Sequence, residues 1–276
     1  MTAEFVTVRD GGRIALETFD FTDPWTAPRT VLLVHGFSKN RRFWYRWIPE
    51  LARLYRVLAI DLRCHGQSSL LPRDAELSLS TFAEDIVDLV DALGLKSVHC
   101  VMAEFSSSVA IELGVRFGPR VSSLTLPGFG FAWRAASVDW HAWSRLAREK
   151  GSLVWAETTN RYRMDDGVEP GLRRWYVGQQ GVVPAWFLAK LFELCAQLDL
   201  SDRLPLLAVP TLAINGSEGR QAPVDCVRRG VATMPNARLQ VLEGLPFNVM
   251  TAAPERCTAL TLDFLREIDR INPGAK

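Results

Sequence analysis

A carboxylate stands where a strand-like run gives way to a helical one. Residues 98–103 (VHCVMA) are apolar and β-rich, residues 106–117 carry helical spacing, and Met102-Ala103-Glu104-Phe105-Ser106-Ser107 joins them. Placed there, Glu104 could move a proton, anchor a cationic or polarised group, or attack as a nucleophile. The chain has four histidines, His35, His65, His99 and His141, so no histidine follows position 141. A serine nucleophile needs a base to take its proton and a group to orient that base. The five cysteines are scattered, with no CxxC pair and no Cys/His cluster, which gives no reason to expect a metal and reads as reduced packing residues. Tyr45, Tyr162 and Tyr176 are proton donors that spacing alone does not select, and Lys39 and Asn40 follow His35-Gly36-Phe37 closely in the chain.

The elements around these residues alternate. Segments 5–9 and 13–19 predict an antiparallel pair joined by Asp10-Gly11-Gly12. Residues 30–35, 56–62, 98–103 and 121–126 are continuous apolar runs, as in strands buried on both faces of a parallel sheet. Helical patterns over 41–54, 80–93 and 106–117 separate them, with Ser80 or Thr81 as a candidate cap. The rhythm breaks after Pro127 and resumes with a strand at 211–215, a helix at 223–234, a strand at 238–243 and a closing helix at 254–269. This predicts a doubly wound, mostly parallel α/β sheet with right-handed crossovers. Residues 1–128 and 206–276 form its core, and 129–205 form a helical cap holding six of the nine tryptophans. The run Arg41, Arg42 and Arg46 reads as a solvated helix face.

Composition removes several function classes. With 32 Lys+Arg against 31 Asp+Glu the net charge is +1, which lacks the basic excess of a nucleic-acid binder. No apolar run reaches the length of a membrane span, and the N-terminal residues lack a signal-peptide pattern, so a cytoplasmic monomer or homodimer is expected.

In order and spacing the chain resembles the α/β-hydrolase superfamily. The matching pieces are His35-Gly36-Phe37, Asp61-Leu62-Arg63-Cys64-His65-Gly66-Gln67-Ser68, Pro210-Thr211-Leu212 and Ala253-Pro254-Glu255, with the cap inserted after the sixth strand. The resemblance implies an α/β-hydrolase fold and a G-x-S-x-G nucleophile elbow at residues 102–107. Glu104 takes the nucleophile's place there; a rival register puts Ser106 in it. The family's histidine position falls on Phe247, within Glu243-Gly244-Leu245-Pro246-Phe247-Asn248, and its acid position on Gly219, one residue after Glu218. The serine–histidine–acid triad is therefore absent. The resemblance also implies an oxyanion hole made by the amides of Phe37 and Phe105.

These readings converge on a cofactor-independent enzyme acting on a hydrophobic, aromatic or polycyclic small molecule. Glu104 would serve as acid, base or electrostatic anchor, with His35 as a helper. Such equipment suits cyclisation, elimination, decarboxylation, isomerisation or cofactor-free oxygenation better than ester hydrolysis. Phe247, Trp133, Trp140, Trp143, Trp186 and Ser106 are expected to line the substrate pocket. A non-catalytic ligand-binding protein and a hydrolase using Glu104 covalently are the alternatives.

Overall fold

The computed structural model describes residues 3–164 and 168–271. The strands are β1 (Glu4–Thr7), β2 (Arg13–Phe19), β3 (Thr30–Val34), β4 (Arg56–Ile60), β5 (Val98–Met102), β6 (Val121–Pro127), β7 (Thr211–Gly216) and β8 (Ala237–Leu242). They form one sheet in the order β1-β2-β4-β3-β5-β6-β7-β8. β1 and β2 pair antiparallel and β2 joins β4 antiparallel; every other neighbouring pair is parallel. β3 and β5 are buried along their whole length, which is why their sequences are continuously apolar rather than alternating.

The helices are α1 (Ile48–Leu51), α2 (Leu79–Ala92), α3 (Ser106–Phe117), α4 (Trp140–Thr159), α5 (Pro170–Gly181), α6 (Ala185–Gln197), α7 (Val224–Val231), α8 (Val249–Ala252) and α9 (Pro254–Ile271). Successive residues of β3 serve opposite faces: Leu32 and Val34 pack with Phe82, Val109 and Leu113, whereas Val31 and Leu33 pack with Trp47, Leu51 and Leu265. Among the described residues no helix is long and apolar enough to cross a membrane.

Three local expectations are corrected. The segment 41–54 is not one helix: a 3-10 turn spans Arg41–Trp44 and α1 begins afresh with Pro49 in its first turn. Proline fits a first turn but would break a helix interior, so the restart follows from the sequence. Arg41 does not lie on a solvated face either. Its guanidinium is buried, paired with Asp61 and Glu17 and bonded to Gln67, because Asp61 at the end of β4 needs a cation. The cap of α2 is Ser78, whose hydroxyl accepts from the Thr81 amide.

Helices α4, α5 and α6 lie between β6 and β7. α4 is interrupted at Gly151, at φ 86° and ψ 165°, a conformation that residues with a side chain rarely adopt. Its two parts present Trp143 and Trp155 to Phe192 of α6, with ring centroids 5.5 and 5.0 Å apart.

Candidate functional site

Glu104 occupies the turn between β5 and α3 at φ 54°, a left-handed conformation costly for a residue with a side chain. The surroundings over-determine it. The Glu104 amide donates to the Pro127 carbonyl, and the Ser107 hydroxyl and amide both donate to the Glu104 carbonyl. Glycines flank the side chain because nothing larger fits: a Cβ at Gly36 would stand 2.4 Å from the Glu104 carboxylate, and one at Gly128 would stand 3.1 Å from its Cγ. A strained strand-to-helix turn is thus retained with glutamate at its apex.

The carboxylate does not stand alone. Lys39 Nζ donates to Glu104 Oε1 at 2.5 Å and to Asn248 Oδ1 at 2.8 Å, and Asn248 Nδ2 donates to the Tyr176 hydroxyl at 3.1 Å. The Lys39 side chain is fully buried, and its ammonium lies 5.4 and 5.2 Å from the Phe43 and Tyr176 ring centroids. Burial pushes the Tyr176 hydroxyl's pKa above its ordinary value, while Lys39 works against that shift. Two bonds from α5 fix the loop that delivers Lys39: Gln180 donates to the Ser38 hydroxyl and Asn40 donates to Gln179. Ser38 itself sits at φ 46°, which turns the chain so that Lys39 points inward.

Above this pair is a cavity lined by Phe37, Glu104, Trp140, Trp143, Trp155, Arg163, Gln221, Phe247 and Asn248. Of the residues singled out in the sequence, Glu104, Phe37, Phe247, Trp140 and Trp143 meet there. Trp133 packs one layer behind, its ring 5.1 Å from Phe37 and 5.7 Å from Phe247. Trp186 lies elsewhere, half-buried against Phe187 with Arg73 over its ring. Ser106 turns its hydroxyl to the Val34 and Ala103 carbonyls and is buried. Among the described residues the amides of Phe37 and Phe105 donate to no protein acceptor. The cavity holds only about 20 Å³, room for a water and not for a ring. A wider groove of about 730 Å³ opens on the surface beside Arg42, Tyr45 and Trp175, and Glu104 is not part of it.

His35 does not reach the cavity. Its Nδ1 bonds the Gly36 carbonyl, its Nε2 accepts from the Leu62 amide, and it is fully buried. Burial depresses its pKa to about 4, and that of neighbouring His65, ring centroid 4.7 Å away, to about 3. Both fall below the ordinary 6.5, so the unfolded chain binds more protons as pH drops. Their contribution to stability is therefore complete above about pH 6.5 and is lost progressively toward pH 4 and below. Asp85, pushed up to about 6 by burial despite Arg63, acts in the opposite sense between pH 4 and 6, one group against two. Urea midpoints measured from pH 8 to pH 4.5 should fall below pH 6.5, and His65→Phe should shallow that fall; an unchanged profile in the variant would assign the acid sensitivity to other groups.

Phe247 and Gly219 are spatial neighbours, with a Cβ at Gly219 falling 3.3 Å from Phe247, so the two positions that would complete a triad face one another without a titratable group. The purified protein should accordingly hydrolyse p-nitrophenyl acetate no faster than its Glu104→Ala variant. Turnover that survives in Glu104→Ala and vanishes in Ser106→Ala would place the nucleophile at Ser106 instead.

Lys39, Asn248, Tyr176 and Arg163 take their places at the site only through the fold. Lys39 carried one signal, as one of only five lysines in the chain and three residues from Gly36. Arg163 carried none, because its environment is made by residues far away in sequence.

The chain matches known proteins along most of its length. Residues 29–175 match the family described as alpha/beta hydrolase fold. The chain is 26% identical over 220 residues to 3-oxoadipate enol-lactonase 1 of Acinetobacter baylyi, covering 77% of this chain and 78% of that one. It is 25% identical over 288 residues to a 2-hydroxy-6-oxononadienedioate/2-hydroxy-6-oxononatrienedioate hydrolase of Paraburkholderia xenovorans, covering 96% and 95%. Among solved structures, a hydrolase from Pseudomonas aeruginosa superposes with a TM-score of 0.85 at 22% identity, over 96% of this chain and 98% of the other. With this match, the eight-stranded sheet and the elbow between β5 and α3, the chain belongs to the α/β-hydrolase fold family.

Proposed function

We propose that the protein is an enzyme of the α/β-hydrolase type that transfers a proton on a hydrophobic, aromatic small molecule, with Glu104 as the proton-carrying group and no serine nucleophile. The observation that carries this reading is the retained elbow: Glu104 is held at φ 54°, its carboxylate on the cavity, beside two amides that donate to no protein acceptor among the described residues. A strained turn of this kind costs about 1–3 kcal/mol and persists where its surroundings over-determine it, most often at functional sites. In the proposed step a C–H bond next to a carbonyl breaks, its proton passes to a Glu104 oxygen, and the electron pair moves onto the carbonyl oxygen. The amides of Phe37 and Phe105 are donors suited to that enolate oxygen. Lys39 keeps Glu104 in place and balances its charge before the proton arrives. The similarity to an enol-lactonase and to a dienedioate hydrolase supports an enzyme acting on small molecules, though both are named for hydrolytic chemistry.

The 20 Å³ cavity favours a second reading, a binding protein whose site is closed over a neutralised Glu104–Lys39 pair. Deuterium uptake from solvent at the α-carbon of aromatic carbonyl compounds separates the two readings. The enzyme accelerates it through Glu104; the binder does not.

A further inference from the structure

Arg163 is buried in the cap, between the Glu104 cavity and a second, polar hollow of about 100 Å³. Its Nη1 donates to the Thr159 hydroxyl at 2.9 Å and its Nη2 to the Ala156 carbonyl at 3.0 Å. Its Nε is buried without an acceptor. Among the described residues no carboxylate pairs with it; Asp165 and Asp166, next but one and beyond in the chain, lie outside those residues. A guanidinium has five N–H donors, and among the described residues two of them are used. Burial pulls the Arg163 pKa below its ordinary value, while Tyr176 and the Glu104 carboxylate act in the other direction.

A second orphan stands beside it. Trp155 also lines the cavity, its Nε1 is buried without a partner, and the Arg163 guanidinium lies 4.5 Å from its ring centroid. An indole N–H only donates, and buried donors normally find acceptors. A guanidinium over an indole face gains a cation–π attraction and still keeps N–H groups for an acceptor. Among the described residues Glu104 is matched by Lys39, and no carboxylate forms an ion pair with Arg163. Among the described residues, the polar hollow on its other side is lined by Arg161 and Arg220, both exposed, and by one acid, Glu218. One acceptor on the cavity is also unpaired, Gln221 Oε1, which suits a hydroxyl or amide hydrogen rather than an anion.

We propose that Arg163 and Trp155 form a carboxylate-recognition subsite, so that the ligand of the Glu104 cavity is an aromatic carboxylate rather than a neutral hydrocarbon. The carboxylate takes guanidinium N–H groups and the indole N–H, and the aromatic body displaces Trp140 and Trp143 from the space they fill around the 20 Å³ cavity. The helix break at Gly151, between the Trp143 and Trp155 segments of α4, lets those two parts separate. Arg161 and Arg220 draw the anion toward the cap.

The inference rests on the cavity being a ligand site, but it is tested by binding and not by turnover. Isothermal titration calorimetry at pH 7 compares naphthalene-2-carboxylate with naphthalene-2-carboxamide, which have the same ring and differ in charge. The wild type should bind the carboxylate at least tenfold more tightly, and Arg163→Gln should bring the two within twofold of each other. Arg163→Lys keeps the charge and loses the fork, so the preference should shrink to about threefold; this variant decides the matter if Arg163→Gln does not fold. The Lys39→Met/Glu104→Gln double variant, which removes both charges of that pair together, should keep the preference, so loss of catalysis and loss of this subsite read out separately. Equal affinities in the wild type, binding of neither probe, or a preference that survives both Arg163 variants would overturn the subsite.

Discussion

Lys39→Met is expected to destabilise the protein by about 3–5 kcal/mol, because it leaves the Glu104 carboxylate buried without its cation. Methionine nearly matches the volume, so the loss is one of charge pairing more than of packing. Among the described residues only the Lys39 side chain holds a cation against Glu104 Oε1, and neither side chain has appreciable access to water that could substitute for it. A cost of that size is a large part of the 5–15 kcal/mol that separates folded from unfolded states of ordinary domains. The second substitution identifies the cause. Lys39→Met combined with Glu104→Gln removes both charges, and the double variant should recover most of the lost stability, since a neutral pair in the same space carries little desolvation penalty. Urea midpoints of the two single variants and the double variant measure this coupling. Additive losses, with no recovery in the double variant, would mean that the two groups do not depend on each other.

The other large effect concerns chemistry. Glu104→Gln retains the shape and one acceptor oxygen but cannot shuttle a proton, so proton transfer to the substrate carbon should fall by about 10² or more. Gln at this position also leaves the Lys39 ammonium without its counter-charge, and some of the change could then come from a loosened elbow. The Lys39→Met/Glu104→Gln double variant removes that ambiguity: it is neutral, it should be well folded, and it should be equally inactive. Ligand affinity of the double variant should stay within about tenfold of wild type, which separates a lost proton carrier from a lost pocket.

The parts of this molecule that were legible in the sequence are those set by local pattern. The buried strands β3, β4, β5 and β6 announced themselves as apolar runs, and the turn between β5 and α3 located Glu104 because strand end and helix start bracket it within a few residues. The segment 41–54 misled because its apolar spacing is helical, while Pro49 and the inward pull of Asp61 on Arg41 divide it. The partners of Glu104 were hidden for a different reason. Lys39 is 65 residues away and Asn248 lies on the far side of the cap insertion, so no periodicity connects them; only the need of a buried carboxylate for a cation points to such a partner. The tryptophan count of the cap likewise does not say which rings fill the cavity and which, like Trp186, pack elsewhere.

The central claim is that Glu104 moves a proton at this elbow in place of a serine's attack on an ester. Its most direct test is proton NMR in deuterium oxide, following loss of the α-proton signal of tetralone, which is neutral, and of naphthylpyruvate, which carries a carboxylate. The buffer alone, wild type, Glu104→Gln and the Lys39→Met/Glu104→Gln double variant are compared at equal protein concentration, with folding of each checked by near-ultraviolet circular dichroism. Wild type should exchange the α-proton of at least naphthylpyruvate well above the buffer rate, and both Glu104 variants should fall by about 10² or more. Exchange in wild type no faster than in buffer, or exchange that persists in the folded Glu104 variants, would contradict that claim.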